Sequence, residues 1–236
     1  MPLARRTIGF IVFAIAVSLA CLHLGVWQLA RLQERRAHNA VVAQRRSLAP
    51  VPARELRGIA DSLRYRSVTL DGRFDYEHEV LLSGRARGGS PGVYLATPVR
   101  EAGRDTAVLV IRGWVYAPDG KSVDQARWHE ADTVHLAGFV DTFAPAAGPV
   151  SVPGVPTAVR FADRDSIGTR LPFPIAPFLV TQTSDSAERP DHPARLVAPA
   201  LTDGPHLSYA IQWFAFAVIA WVGVGAIVWK GRSALS

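Results

Sequence analysis

The chain has 236 residues, 49% of them hydrophobic and 19% charged, which is enough for one sizeable domain plus apolar anchors but not for two independent cores. Its net charge of +6 rests on 26 basic residues, all arginine except Lys121 and Lys230, scattered with no basic stripe interleaved with aromatics, so nucleic acid is set aside as a partner. The single cysteine, Cys21, lies in the first apolar run, which leaves the rest of the chain without a disulfide, a thiolate metal site or a catalytic cysteine.

Residues 1–7 form a short basic start with Arg5 and Arg6. From Ile8 to Val26 no residue is charged, and residues 8–27 read as a first transmembrane helix, since a bilayer core needs ~20 apolar residues. A secretory signal peptide competes for the same segment, but the run exceeds a typical apolar centre of ~7–15 residues and passes into Trp27, Gln28 and Arg31 without a small-x-small cleavage site. Residues 28–208 are expected outside the membrane, beginning with a helical extension over 28–48: Gln28 to Arg46 holds no Gly or Pro, and Pro50 and Pro52 end it.

Short β-like runs follow at Tyr65 to Phe74, Glu79 to Leu82, Val93 to Val99, Ala107 to Val115 and Thr133 to Phe143. Turns are expected at Asp71-Gly72, at Gly88 to Gly92 and at Pro118-Asp119-Gly120. Leu109, Ile111 and the alternating neighbours of Arg112 suggest strands with one buried face, closing into a small antiparallel barrel or sandwich. Val123 to Glu130 suits one short helix, and Ala144 to Pro156 is an apolar loop rich in Pro, Gly and Ala. Residues 209–229, uncharged and with Tyr209, Trp213 and Trp229 near the ends, read as a second transmembrane helix, followed by Lys230 and Arg232 in 230–236. The expected class is therefore a membrane protein, two transmembrane helices flanking a mostly β domain of α+β type. Basic flanks at both extreme ends place the termini in the cytoplasm and the domain outside.

Enzyme motifs are absent: no Gly-x-Ser-x-Gly elbow, no phosphate-cradling glycine loop, no His-Glu-x-x-His. A Ser–Lys dyad has only Lys121 to draw on outside the apolar runs, beside Ser122. Of the seven histidines, His38, His78, His129, His135 and His192 sit in polar stretches that favour solvated or satisfied side chains. His23 lies inside the first apolar run one turn before Trp27, where an ionisable group is either functional or snorkels to the interface. His206 opens the second apolar segment; a neutral imidazole there suits a haem iron, with Tyr209, Trp213 and Trp27 packing the macrocycle and arginines near the propionates, or is a polar residue starting a helix.

Four blocks then fall into a recognisable order: Leu24 to Arg31 (LGVWQLAR), Tyr65 to Phe74 (YRSVTLDGRF), Val108 to Val115 (VLVIRGWV) and Pro205 to Ala210 (PHLSYA), with Gly92 to Pro98 (GVYLATP) between the second and third. With them the chain resembles the surfeit locus protein 1 family of cytochrome c oxidase assembly factors. The resemblance implies a non-enzymatic chaperone that helps haem a reach subunit I of a haem–copper oxidase, holding it transiently between the two helices. Its setting would be the lipid of a bacterial inner membrane with the domain periplasmic, its partners oxidase subunit I and, as a further candidate, haem a synthase. The histidine matching His206 is taken as the iron ligand in bacterial relatives, which makes His206 the first candidate here; His23 gains nothing from the family pattern. Arg35 stands where the family often has lysine, and Gln212 where it often has threonine. Arg112 and Trp114 either brace the domain or touch a ligand. The rival expectation is a membrane-anchored scaffold that docks on oxidase subunits and binds no haem.

Overall fold

The computed structural model describes residues 5–58, 60–183 and 189–233. The chain divides into two compact units, Met1–Val41 with Leu201–Ser236, and Val42–Ala200.

The first unit is a helix pair. Helix α1 spans Arg5–Ser47 without a break, because no Pro or Gly interrupts it after Gly25, and Pro50 and Pro52 lie just beyond its end. The last helix of the chain spans His206–Ser233. Both are long and apolar enough to cross a membrane. Ala14, Ser18, Cys21, Gly25 and Leu32 form the buried line of α1, and Ala210, Ala217 and Val224 that of the last helix, at spacings of three, four and seven residues. The line is built of small side chains, as expected where helices gain little from the hydrophobic effect and associate through close packing. A Cβ on Gly25 would fall inside the ring of Phe214. The Ser18 hydroxyl donates to the Ala217 carbonyl at 3.1 Å, Gln28 meets His206, and Arg36 pairs with Asp203, so the two helices run antiparallel.

The second unit is a mixed sheet. In chain order it contains β1 (Val51–Pro52), α2 (Ala60–Leu63), β2 (Ser67–Phe74), β3 (Val80–Arg87), β4 (Ser90–Arg100), β5 (Ala107–Tyr116), β6 (Thr133–Asp141), β7 (Ser151–Val152), β8 (Val155–Val159), α3 (Arg164–Gly168) and β9 (Ile175–Gln182); the helix His206–Ser233 is then α4. The strand order is β1-β2-β6-β9-β5-β4-β3-β8-β7, and β2 also pairs with β4 through Arg73↔Arg100 and Phe74↔Val99. Strands β2, β6, β9, β5 and β4 are thus paired in a ring. Inside it pack Val68, Leu70, Phe74, Val99, Val110 and Val180.

Several expectations are corrected. The sheet is mixed rather than antiparallel: β1–β2, β3–β8 and β5–β9 are parallel pairs. Parallel pairs need long crossovers, and residues 117–174 supply the one between β5 and β9. Strand β5 is buried on both faces, not one, with Val108 and Val110 on the ring side and Leu109 and Ile111 in a second cluster with Ile167 and Leu179. Asp71-Gly72 is no turn but lies inside β2, where a Cβ on Gly72 would stand 2.6 Å from the Arg100 carbonyl oxygen; glycine is what lets β4 come that close. Only Gly88 and Gly89 turn, while Ser90 to Gly92 already belong to β4. The stretch from Val123 to Glu130 forms a single 3₁₀ turn, Ala126–Trp128, and the loop expected after Ala144 contains β7 and the start of β8. Strand β9 was not anticipated, because Pro177 sits within it; the register slips there, Ala107↔Ile175 being followed by Leu109↔Leu179, so the proline occupies a bulge.

The close approach at Gly72 makes a test. Gly72→Val is expected to destabilise the protein by about 1–3 kcal/mol through overpacking. Gly168→Ala, with nothing within 4 Å of the added carbon, is expected to leave the melting temperature almost unchanged. Thermal melts of the two detergent-solubilised variants check the contrast.

Candidate functional site

Pro205 fixes the entry to α4, its carbonyl accepting from the Tyr209 amide at 3.1 Å and from the Ser208 hydroxyl at 2.8 Å. Gly204 before it adopts φ +69°, the left-handed region that turns the chain into the helix. This turn is tied to α1 at three points: Arg36 Nε to Asp203 Oδ2 at 2.8 Å, Asn39 Nδ2 to the Thr202 carbonyl at 3.0 Å, and Arg35 Nε to the same carbonyl at 3.3 Å. His206, half-buried at the first position of α4, faces Gln28 of α1, its Nδ1 lying 2.9 Å from Gln28 Oε1. The imidazole thus stands at the end of the apolar pair with one ring nitrogen engaged by an uncharged side chain.

The remaining candidates divide by helix face. Tyr209 and Trp213 follow His206 at three and seven residues and share its side of α4, continued by Phe216, whose ring meets that of Trp213 edge-on at 5.9 Å. Trp27 and His23 are exposed and one turn apart on α1, and His23 lies roughly 140° around the helix from Gln28. The structure therefore joins His206 to Gln28 and places Tyr209 and Trp213 on the same stripe, while Trp27 and His23 lie on another face. Sequence reasoning passed over Gln28; the signal for it was an uncharged polar side chain at the end of the seam formed by Ser18, Cys21 and Gly25, across from the histidine.

In the sheet unit, the side chain of Arg112 has no exposed surface. Arg112 is the extra residue of a bulge, since Leu95↔Gly113 is followed by Ala96↔Ile111, and the bulge aims its guanidinium into the unit. There Nη2 meets Glu79 Oε2 at 2.9 Å, Nη1 meets Glu130 Oε1 at 3.0 Å and the Trp128 carbonyl at 2.7 Å, and Nε donates to Thr97 Oγ1 at 2.9 Å. Thr97 in turn donates to Glu79. The rings of Tyr76 and Phe74 lie 5.0 and 5.3 Å from the guanidinium carbon. Arg195 closes the group, binding both oxygens of Glu130 and donating to the Arg112 carbonyl at 2.9 Å, with His192 Nδ1 3.1 Å from Glu130. Burial holds the Tyr76 phenol above its usual range, against the smaller opposing effects of its hydrogen bond to the Glu130 backbone and of the Arg112 charge. Two arginines meet two glutamates, so the network is charge-balanced, and the Arg112 guanidinium is engaged by the domain's own groups. Trp114 is bound beside it, its indole donating to the Arg85 carbonyl at 3.3 Å and its backbone paired with Ala194.

The Ser122 hydroxyl donates a hydrogen bond to Asp119, and the same carboxylate accepts the backbone amides of Lys121 and Ser122. Those bonds hold Asp119 down at about 2. Among the described residues no group of three or more His, Cys, Asp or Glu is placed to hold a metal ion.

Comparison with known proteins agrees on a family. The SURF1 family matches residues 15–218. A SURF1-like protein of Rickettsia felis is 37% identical over 106 residues, 44% of this chain and 43% of that protein. An uncharacterised SURF1-like protein of Mycobacterium bovis is 29% identical over 213 residues, 86% of this chain and 75% of the relative. The cytochrome oxidase assembly protein SHY1 of Saccharomyces cerevisiae is 27% identical over 114 residues, 46% of this chain and 29% of SHY1. The match thus spans less than half the length of the rickettsial and yeast relatives.

The closed network generates a test. Arg112→Met leaves Glu79 buried without its cation, and Glu130 with Arg195 alone, and is expected to cost about 3–5 kcal/mol. Trp114→Phe, which removes one hydrogen bond, is expected to cost about 0.5–1.5 kcal/mol. Denaturant titration of the two variants followed by tryptophan fluorescence, with near-equal losses as the adverse result, checks the ranking.

Proposed function

The chain belongs to the SURF1 family, and from that premise we propose that it is a non-enzymatic, membrane-anchored assembly factor for cytochrome c oxidase that holds haem a as its cargo and assists its insertion into subunit I. The observation that carries the reading is the Gln28–His206 pair at the end of the antiparallel seam. His206 Nε2 would ligate the iron, the cargo's own Lewis-acidic centre. Tyr209 and Trp213, on the same side of α4, offer ring faces to a flat apolar molecule. The propionates would find positive potential from the start of α4 and from Arg35 on α1, Arg31 and Arg36 being paired with Glu34 and Asp203. Trp27 and His23, on another face, stand outside the proposal. The basic flanks at both chain ends favour cytoplasmic termini and a periplasmic domain in a bacterial inner membrane. Oxidase subunit I is the proposed recipient, and haem a synthase the proposed donor.

A second reading, a scaffold that docks on oxidase subunits and carries no haem, is favoured by one feature of the sheet unit. A groove of about 1070 Å³ opens over Phe74, Tyr76 and Val134, with Glu77, Arg100 and Glu101 at its rim, room enough for a partner's side chains.

Absorption spectra separate the two. Protein purified in detergent from cells that make haem a is expected to carry a haem band, and His206→Ala to lose it. A colourless wild type from haem-replete cells, or a His206→Ala variant with its band intact, removes the ligand assignment, and the first of these moves the function to the scaffold.

A further inference from the structure

We propose that Gln28 is the positioning residue for His206: its side-chain carbonyl holds the imidazole in the Nδ1–H form and so directs the Nε2 lone pair at the iron. The inference deepens the haem reading and rests on it. A neutral imidazole has one donor and one acceptor nitrogen, and which is which follows from the partner it meets. Here the partner at 2.9 Å from Nδ1 is the amide oxygen of Gln28, which only accepts, so the ring proton belongs on Nδ1 and Nε2 is left as a base. If the Gln28 amide were turned over, its NH₂ would donate to Nδ1, the proton would move to Nε2, and the ligand nitrogen would be blocked. The two orientations thus differ in a measurable property of the empty protein.

Three further observations make the contact a positioning device rather than a chance pairing. The partners are 178 residues apart and are brought together by the packing of two helices. The strap before α4 is held to α1 by Arg36–Asp203 and by Asn39 and Arg35 on the Thr202 carbonyl, and the pair is registered deeper along the seam by Ser18 on Ala217, so neither ring nor amide drifts freely. A Cβ added at Gly204 would lie 3.5 Å from His206 Cδ2 and 3.7 Å from Nε2, so the glycine keeps a side chain off the edge of the ring that the iron would approach. Glutamine is also suited to the place: it accepts a hydrogen bond as a carboxylate does but brings no charge to the end of an apolar segment. Outer partners of ligating histidines typically govern affinity by about 10- to 100-fold.

The test uses the full chain in detergent, histidine-labelled with nitrogen-15 and free of haem, with His206→Asn to identify the His206 signals, and then haemin as the added probe. Wild type is expected to show the Nδ1–H form. Gln28→Leu should shift the population to the Nε2–H form and weaken haemin binding about 10- to 100-fold. Gln28→Glu, which keeps an accepting oxygen, should retain the Nδ1–H form and most of the affinity. A wild type in the Nε2–H form overturns the proposal, as does a leucine variant that keeps the wild-type tautomer, whatever its affinity, or one that changes tautomer without losing affinity. Wild-type protein that takes up no haemin at all removes the haem reading and the ligand role with it, and the tautomer comparison then decides alone whether Gln28 sets the ring.

Discussion

Two antiparallel apolar helices gain little from the hydrophobic effect when their alternative environment is lipid, so their association depends on how closely the backbones approach. Gly25 is the residue on which that approach turns: the ring of Phe214 occupies the space where its side chain would be. Ala14, Ser18, Cys21, Ala210 and Ala217 extend the same condition along the seam. The consequence reaches the site, because Gln28 lies one turn beyond Gly25 and His206 one turn before Ala210. Only with the backbones that close do a short amide and an imidazole meet at hydrogen-bond distance. Larger residues on the seam would hold the helices apart and leave the histidine as an ordinary polar residue at a helix start.

The sheet unit meets a different constraint. A buried guanidinium is costly unless every donor is satisfied and its charge is matched. Arg112 has all three nitrogens hydrogen-bonded and its charge matched because a bulge in β5 releases it from the strand's alternation and points it at Glu79 and Glu130 between two aromatic rings. The network fastens the residues 189–195 segment, through Arg195 and the Trp114–Ala194 bridge, to the middle of the sheet.

Much of this was legible in the sequence because it follows from local rules. Charge-free runs of bilayer length mark α1 and α4, the absence of Gly and Pro between Gln28 and Arg46 carries α1 on to Ser47, and short apolar runs bounded by turn residues mark β2, β4, β5 and β6. What escaped was set by tertiary context. Pro177 argues against a strand, yet β9 accommodates it in a bulge and lies at the centre of the sheet. Asp71-Gly72 reads as a turn because glycine usually supplies backbone freedom there, whereas here it supplies room for β4. The parallel pairing of β5 with β9 is decided by a long crossover that no local pattern specifies.

The site shows the same division. His206 was visible as an ionisable group at the edge of an apolar segment, and family resemblance singled it out from His23. Its partner was not visible, because nothing in the order Trp27-Gln28-Leu29 says which residue of α1 will face the start of α4. Helix phase decides that, and phase follows from the small residues. Counting from Gly25 along the buried line reaches Gln28 and then Leu32, so the seam itself indicates Gln28 as the residue of α1 that faces the start of α4. The large rings drew notice because they suit a macrocycle, but at the seam it is the small residues that determine what can touch.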